Sequence, residues 1–313
     1  MPAAGALPGT HASSSLVPVA SPSPSPGESR GLLHPRAAQA RFHLARRPPS
    51  ITLAPLVEHY WIVTWDLRGQ RPHQQRVLPG PSVQMTFTPW FSRVAGVIRG
   101  QFRCQLQDAG RILGVQFRPG GFRPFLGAPV AAITGTFLGV HELFGPDGHA
   151  LVRAVRAAAD ADGTSEEELV ALVDRFLCAV APDPNRYDPR GAEVAGIVEQ
   201  IAAGTGSGND RVGDLARQVG VGTRTLQRLF AEYVGVGPKW VSRRCRLQQA
   251  AQHAAGGEEI AWVRLAADLG YSDQAHFTRD FTAAVGTSPT RYARACAPAE
   301  QPLPAAAPPG ETR

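Results

Sequence analysis

Lysine is nearly missing from this 313-residue chain: Lys239 stands alone, and every other strongly basic residue is arginine. Cysteine is scarce as well. Cys104, Cys178, Cys245 and Cys296 lie far apart with no C-x-x-C pair, which argues against a zinc ribbon and against a disulfide scaffold. A reducing cytoplasm is the simplest setting for such a chain. Long hydrophobic runs are missing too. The best stretch, 124–141, is interrupted by Pro129 and three glycines, so no transmembrane helix is expected. His59, His73, His141 and His149 have no metal-ligand spacing within one element, so neither a metal nor another cofactor is expected. What is present, 43% apolar against 19% charged residues, is enough to bury a core, and the length suits two domains.

The net charge of +6 is unevenly placed. Residues 211–296 hold 11 Arg and Lys239 against seven acids, or +5, whereas residues 50–210 hold 14 Arg against 16 acids, or −2. A basic C-terminal part beside a slightly acidic one fits a polyanionic partner. A plain arginine bias reads equally well from charge alone.

Residues 1–48 are rich in Ala, Pro, Ser and Arg, including SPSPSPG at 21–27, and are expected to form a disordered tail. They carry no apolar stretch of the secretory-signal kind. HYWIVTWDL (59–67), SVQMTFT (82–88) and ILGVQFRP (112–119) have the β-branched and aromatic content of strands. Ser165 and Glu168 form a capping box before a helical run whose apolar residues Leu169, Leu172, Val173, Phe176 and Leu177 recur on one face. The Pro-rich APDPNRYDPRG (181–191) is a linker, and a helix follows from about Ala192 to Ala203. FRPGGFRPF (117–125) lacks the Lys-Ser/Thr of a phosphate loop and is expected to be a β-turn.

A near-duplicate at a period of 50–51 residues carries the most information. LARQVGVGTRTLQRLFAEYVGVGPKWV starts at Leu215 and LAADLGYSDQAHFTRDFTAAVGTSPTRYA at Leu265. Each copy has a glycine four residues after its alanine (Ala216/Gly220, Ala266/Gly270), a helical run through a phenylalanine (Phe230, Phe281) and a closing Gly-x-x-Pro (Gly235 to Pro238, Gly286 to Pro289). Alanine lets a second helix cross closely, and glycine takes the left-handed turn between them, which is the layout of a helix-turn-helix. Ser272 in one copy, and Gly222 or Thr223 in the other, are candidate caps of the second helix. The segment PKWVSRRCRLQQAAQHAA (238–255) reads as a stiff connector helix.

On the second helix of copy one, Leu226, Phe230 and Tyr233 share a face that should be core. Arg224, Gln227, Arg228 and Ala231 lie opposite. In copy two, Phe277 and Phe281 are core, with Ala275, Thr278, Arg279 and Thr282 opposite and Gln274 and His276 flanking. Arg and Gln are the side chains that reach guanine and adenine edges in the major groove. Two such helices on one side of a duplex would lie one turn apart, roughly 34 Å. On the connector, Lys239, Arg243 and Arg244 are open between phosphate contact and solvation. Trp240 and Tyr292, after the two prolines, should be core, and Cys245 a spectator.

At these residues the chain resembles the AraC family of bacterial transcription regulators. GYSDQAHFTRDFTAAVGTSPTRYA (270–293) and TRTLQRLFAEYVGVGPKW (223–240) carry the resemblance over about 210–295. The resemblance implies two helix-turn-helix units joined by a linker helix, double-stranded DNA as partner and control of transcription. Carried over by position, Arg224, Gln227 and Arg228 are contacts of the first recognition helix, and Gln274, His276 and Arg279 of the second. Thr278, Lys239 and Arg243 complete the candidate DNA-contact set. LAPLVEHYWIVTW, RVLPG and ILGVQFRPGGFRPFLGAPVAAITGTFLGVHELFG resemble, over about 48–180, an uncharacterised sensor-type domain of actinobacterial regulators. That domain usually has an acid soon after VLP, and VLPGPSVQM (77–85) has none.

The expected fold is α+β. A mainly β sensor or dimerisation domain with flanking helices spans 49–181, a linker 182–191, an all-α double helix-turn-helix domain 192–296 and a second tail 297–313. The expected function is sequence-specific regulation of transcription in the cytoplasm, not catalysis. A small-molecule effector, a homodimer through the N-terminal domain, and RNA polymerase for an activator are the further partners considered. The alternative is a methyl-acceptor regulator responding to DNA alkylation, for which the isolated cysteines lack the needed cluster.

Overall fold

The computed structural model describes residues 31–161, 163–183, 187–203, 212–256 and 260–297. Its N-terminal part is β-rich and its C-terminal part helical, the α+β class expected. Eight strands run from β1 (His43–Arg47) and β2 (Val57–Asp66) through β3 (His73–Val77), β4 (Gln84–Phe87), β5 (Ser92–Ala95), β6 (Phe102–Leu106), β7 (Ala109–Phe117) and β8 (Phe137–Gly139). Six form an antiparallel sheet in the order β1-β2-β7-β4-β5-β8, and β3 pairs with β6 in a separate ribbon. The three strands expected from sequence coincide with β2, β4 and β7, the middle of the large sheet. Arg123–Leu126 (α2), which overlaps the end of the segment 117–125 expected as a turn, adds one short helical turn after Gly120.

Side chains alternate across the sheet. Tyr60, Ile62, Met85, Phe87, Leu113 and Val115 point to one face and are buried. They pack against α3 (Val140–Asp160), interrupted at Gly145–Pro146, and α4 (Glu166–Val180), which contributes Leu169, Val173 and Leu177. The capping box forms as expected: Ser165 Oγ accepts from the Glu168 amide at 3.1 Å, and Glu168 Oε2 accepts from the Ser165 amide at 2.8 Å. The opposite face of the sheet is covered by the β3–β6 ribbon.

The N-terminal tail expected through residue 48 is corrected. Residues 1–30 lie outside the described residues, but Pro35–Gln39 forms α1 and His43–Arg47 is an edge strand of the sheet. The physical reason is burial against distant parts of the chain. Leu33 joins a core cluster with Tyr292, Phe281 and Leu247, and Ala38 is fully buried. The linker is shorter than expected too, because α5 begins at Pro189 and runs to Ala203. The second tail lies outside the described residues beyond Ala297.

His34 fastens this strap to the last helix, α11 (Pro289–Cys296). Its amide donates to the Tyr292 hydroxyl at 3.1 Å, and its ring lies 4.7 Å from the Tyr292 ring. Nε2 faces Arg76 Nη2 at 3.1 Å, and Nδ1 faces Cys296 Sγ at 3.4 Å. A guanidinium only donates, so Nε2 accepts and the imidazole is neutral. Burial first, then Arg76, lowers the His34 pKa below 6.5. The sign follows: above the unfolded value the contact is whole, and as pH falls through 6.5 the unfolded chain takes up a proton that the folded one refuses. Unfolding free energies measured against pH should therefore show wild type losing stability relative to His34→Asn below about pH 6.5. Asn is chosen because it tolerates the positive φ of 54° at this position. A pH-independent difference between the two proteins would contradict this account.

Candidate functional site

The C-terminal part contains α6 (Val212–Gln218), α7 (Thr223–Tyr233), α8 (Pro238–Ala255), α9 (Trp262–Asp268) and α10 (Gln274–Val285), followed by α11. The two turns are built alike. After α6 the amides of Gly220 and Val221 donate to the carbonyls of Arg217 and Ala216, and after α9 those of Gly270 and Tyr271 donate to Ala267 and Ala266. Gly220 and Gly270 have φ of 69° and 73°, so the left-handed turn read from sequence is present twice. The caps differ. Gly222 precedes α7, whereas Asp273 rather than Ser272 caps α10, its Oδ1 accepting from the His276 amide at 2.7 Å. A carboxylate near a helix N-terminus also meets the dipole favourably, which a serine hydroxyl does less well.

Both second helices are two-sided. Leu226, Leu229, Phe230 and Tyr233 of α7 are buried, and so are Phe277, Phe281 and Val285 of α10. Arg224, Gln227 and Arg228 are exposed, as are Gln274, His276 and Arg279, while Thr278 is half-buried. Trp240 is half-buried on α8 and Tyr292 fully buried on α11. Arg228 also borders a cleft of about 620 Å³ between α7, the start of α5 and the loop around Gly120.

The flank of α10 is tied down. Arg243 of α8 grips Asp280 with two bonds of 2.8 Å, from Nε and Nη2. His276 Nε2 lies 3.9 Å from the same carboxylate, and its ring meets Tyr271 edge-on at 5.2 Å. Arg243 is therefore engaged within the chain, a positioning contact between connector and recognition helix that sequence missed because Asp280 sits 37 residues away. Lys239 is exposed.

Arg244 departs from both sequence readings, phosphate contact and solvation. It is 5% exposed, its Nη2 donates to the Arg99 carbonyl, and its guanidinium lies 4.7 Å from the Trp240 ring. Burial, then Arg243, pushes its pKa down to about 10. Four residues on, buried Gln248 donates through Nε2 to the Leu78 carbonyl at 2.8 Å. The connector helix is thus clamped to two loops of the N-terminal part. Other ties run from Arg123 to Glu232 (2.7 Å), Thr134 Oγ1 to the Gly235 carbonyl (2.7 Å) and Gln101 Nε2 to the Ala284 carbonyl (2.9 Å). Leu78 and Leu33 complete the core of the second unit, and Val97 that of the first.

The same two loops wall a cavity of about 190 Å³ between the large sheet and the β3–β6 ribbon. Residues alternate along them. Val77 and Pro79 face the cavity while Leu78 faces α8; Gly96 and Ile98 face the cavity while Val97 and the Arg99 carbonyl face the helical part. The cavity floor follows one row across the sheet, Arg46, Trp61, Thr86 and Arg93, with Gly114 between Trp61 and Thr86 in the register and covered by the Trp61 indole. Gly114 is required there because a Cβ would fall 2.0 Å from the Trp61 indole lying over it.

Comparison with known proteins adds identity to this geometry. A family described as a helix-turn-helix domain matches residues 215–295, and a domain of unknown function (DUF6597) matches 45–138. The HTH-type transcriptional regulator ExsA of Pseudomonas aeruginosa is 32% identical over 82 residues, covering 26% of this chain. The chain spans 29% of the length of that relative. Among solved structures, the C-terminal domain of AraT, a response regulator from Geobacillus stearothermophilus, aligns at 23% identity with a TM-score of 0.33, covering 37% of this chain and 92% of that one. ToxT from Vibrio cholerae O395 aligns at 13% identity and TM-score 0.35, covering 82% and 94%. Residues 215–295 thus match a helix-turn-helix domain and are similar to AraC-type regulators, behind a match to a domain of unknown function at residues 45–138.

Proposed function

We propose that the chain is a sequence-specific DNA-binding regulator of transcription whose helices α7 and α10 enter adjacent major-groove segments. The observation that carries this reading is the twinned two-sidedness: each helix buries its aromatic face and leaves Arg and Gln exposed. Arg224, Gln227, Arg228, Gln274 and Arg279 supply base-edge contacts, Lys239 a phosphate contact, and His276 and Thr278 line the flank of α10. Arg243 acts through Asp280, fixing the pose of α10 against the connector. The boundary between the two parts is placed before α5 at Pro189, with α5 packing on the first reading unit through Val194, Ile197 and Val198.

The N-terminal part acts as the sensor. A small molecule in the sheet cavity would displace the walls at Val77–Pro79 and Gly96–Ile98, whose alternate residues hold α8, and so bias the spacing of the two recognition helices. Dimerisation through the N-terminal part and recruitment of RNA polymerase belong to the same reading of a bacterial, cytoplasmic regulator. The methyl-acceptor alternative gains no support among the described residues: burial pushes the Cys104 and Cys296 thiols up, away from thiolate.

Selection from random duplexes by the purified chain tests the proposal. The expected outcome is enrichment of a defined sequence spanning about two successive major-groove segments, with affinity falling steeply as salt rises. Recovery of no preferred sequence sinks it.

A further inference from the structure

The sheet cavity has a charge balance unlike the rest of the N-terminal part. Its charged lining residues are Arg46 and Arg93, with His59 the other ionisable nitrogen base and no Asp or Glu among them. Arg46 is occupied: its Nε donates to His59 Nε2 at 3.1 Å, which keeps that imidazole an acceptor and neutral. Burial lowers the His59 pKa in the same direction.

Arg93 is different. Its guanidinium carbon lies 3.9 Å from the centroid of the Phe91 ring and 3.8 Å from that of Phe137. The two rings reach it from either side along the strand: Phe91 lies two residues before it, and Phe137 pairs with Ala95 two residues after it. Aromatic rings attract the cation through its charge but do not replace oxygen acceptors for its N–H donors. No carboxylate answers them among the described residues; the neighbouring titratable group is Cys104, whose thiol burial pushes up and so keeps protonated, and burial lowers the Arg93 pKa. An uncompensated, partly desolvated arginine in a largely apolar hollow favours an anion with forked acceptors. Further along the floor, the Trp61 indole lies over Gly114 and lines the cavity, an aromatic surface for a ring to pack on.

We infer that this cavity takes a small aromatic monocarboxylate, its carboxylate forked on Arg93 and its ring against Trp61. This rests on the N-terminal part being the sensor only for its regulatory consequence; the binding itself stands apart. The aromatic floor favours a ring over an extended chain, and the cavity size favours one ring system.

Calorimetric titration of the full chain with phenylacetate, phenylacetamide and hexanoate separates the contributions. Phenylacetate should bind at least about tenfold tighter than its amide, the equivalent of one charge-assisted contact. It should also bind tighter than hexanoate. Arg93→Met should remove the preference for the acid while leaving the amide unchanged, and Arg93→Lys should restore part of it. The acid-against-amide comparison uses the unaltered protein, so it decides even if a variant misfolds. Equal binding of acid and amide, hexanoate as tight as phenylacetate, or no binding of a panel of one-ring aromatic acids up to about 10 mM overturns the inference. DNA affinity measured with and without phenylacetate is a separate readout. Ligand binding without any change in DNA affinity would sink the sensor reading and leave the ligand class standing.

Discussion

Alanine at both Arg224 and Arg228 is expected to weaken binding to the selected DNA by about a hundredfold or more, with thermal stability unchanged. Each guanidinium that reads a base contributes about 1–3 kcal/mol, and two of them multiply. Stability should hold because both side chains are exposed and neither makes an ion pair or hydrogen bond among the described residues. The buried face of α7, anchored by Phe230 at 0% exposure, is untouched by the change. The form of the loss identifies the contact. A residue that reads a base costs affinity at one position of the selected sequence, whereas a phosphate contact weakens all sequences alike and lowers the salt slope by about one. Arg68→Ala, in the N-terminal part where the guanidinium pairs with exposed Asp66, serves as a control and should leave DNA affinity as it was. Binding assays that find the double variant equal to wild type would remove α7 from the interface.

The reading units were legible because their signals are local. A glycine after an alanine, a phenylalanine at the same offset and a proline at the next helix start recur within thirty residues, and helix period sorts the two faces. The connector was legible from its ends, since Pro238 opens and Gly256 closes a run with no other breaker. Residues 31–47 were not legible, because an Ala- and Arg-rich stretch following a Pro- and Ser-rich one looks like a tail unless its distant partners are known. His34 meets Tyr292 across 258 residues, and β1 exists only because β2 offers it an edge. The cap of α10 was misplaced by one position: Ser272 was read as the cap and Asp273 takes the place, because both are good capping residues and the choice depends on backbone angles at each. Arg243 and Arg244 are neighbours in sequence with opposite fates, one gripping Asp280 and one buried against Arg99. Composition treats them alike; what separates them is which side of α8 the N-terminal part covers.

Arg244 gives the second large effect, and its sign depends on what replaces it. Alanine removes a buried side chain that stacks on Trp240 and leaves a hole between α8 and the loop at Arg99, a change that costs about 2–4 kcal/mol of unfolding free energy. Methionine keeps most of the volume but discards the charge. The buried guanidinium has a desolvation cost, and its Nη1 has no hydrogen-bond partner among the described residues. Methionine gives up the bond to the Arg99 carbonyl and relieves both of those penalties, so its stability should lie within about 1 kcal/mol of wild type. Chemical unfolding of the three proteins checks the order; methionine as damaging as alanine would mean that the bond, not the filled volume, holds the two parts together. The same pair separates stability from communication. In Arg244→Met the reading heads keep their own cores and should retain DNA affinity, but one of the two clamps between the cavity walls and the connector is gone. An occupant of the cavity should then move DNA affinity less in Arg244→Met than in wild type, and least when Gln248→Leu removes the clamp on the Leu78 carbonyl as well.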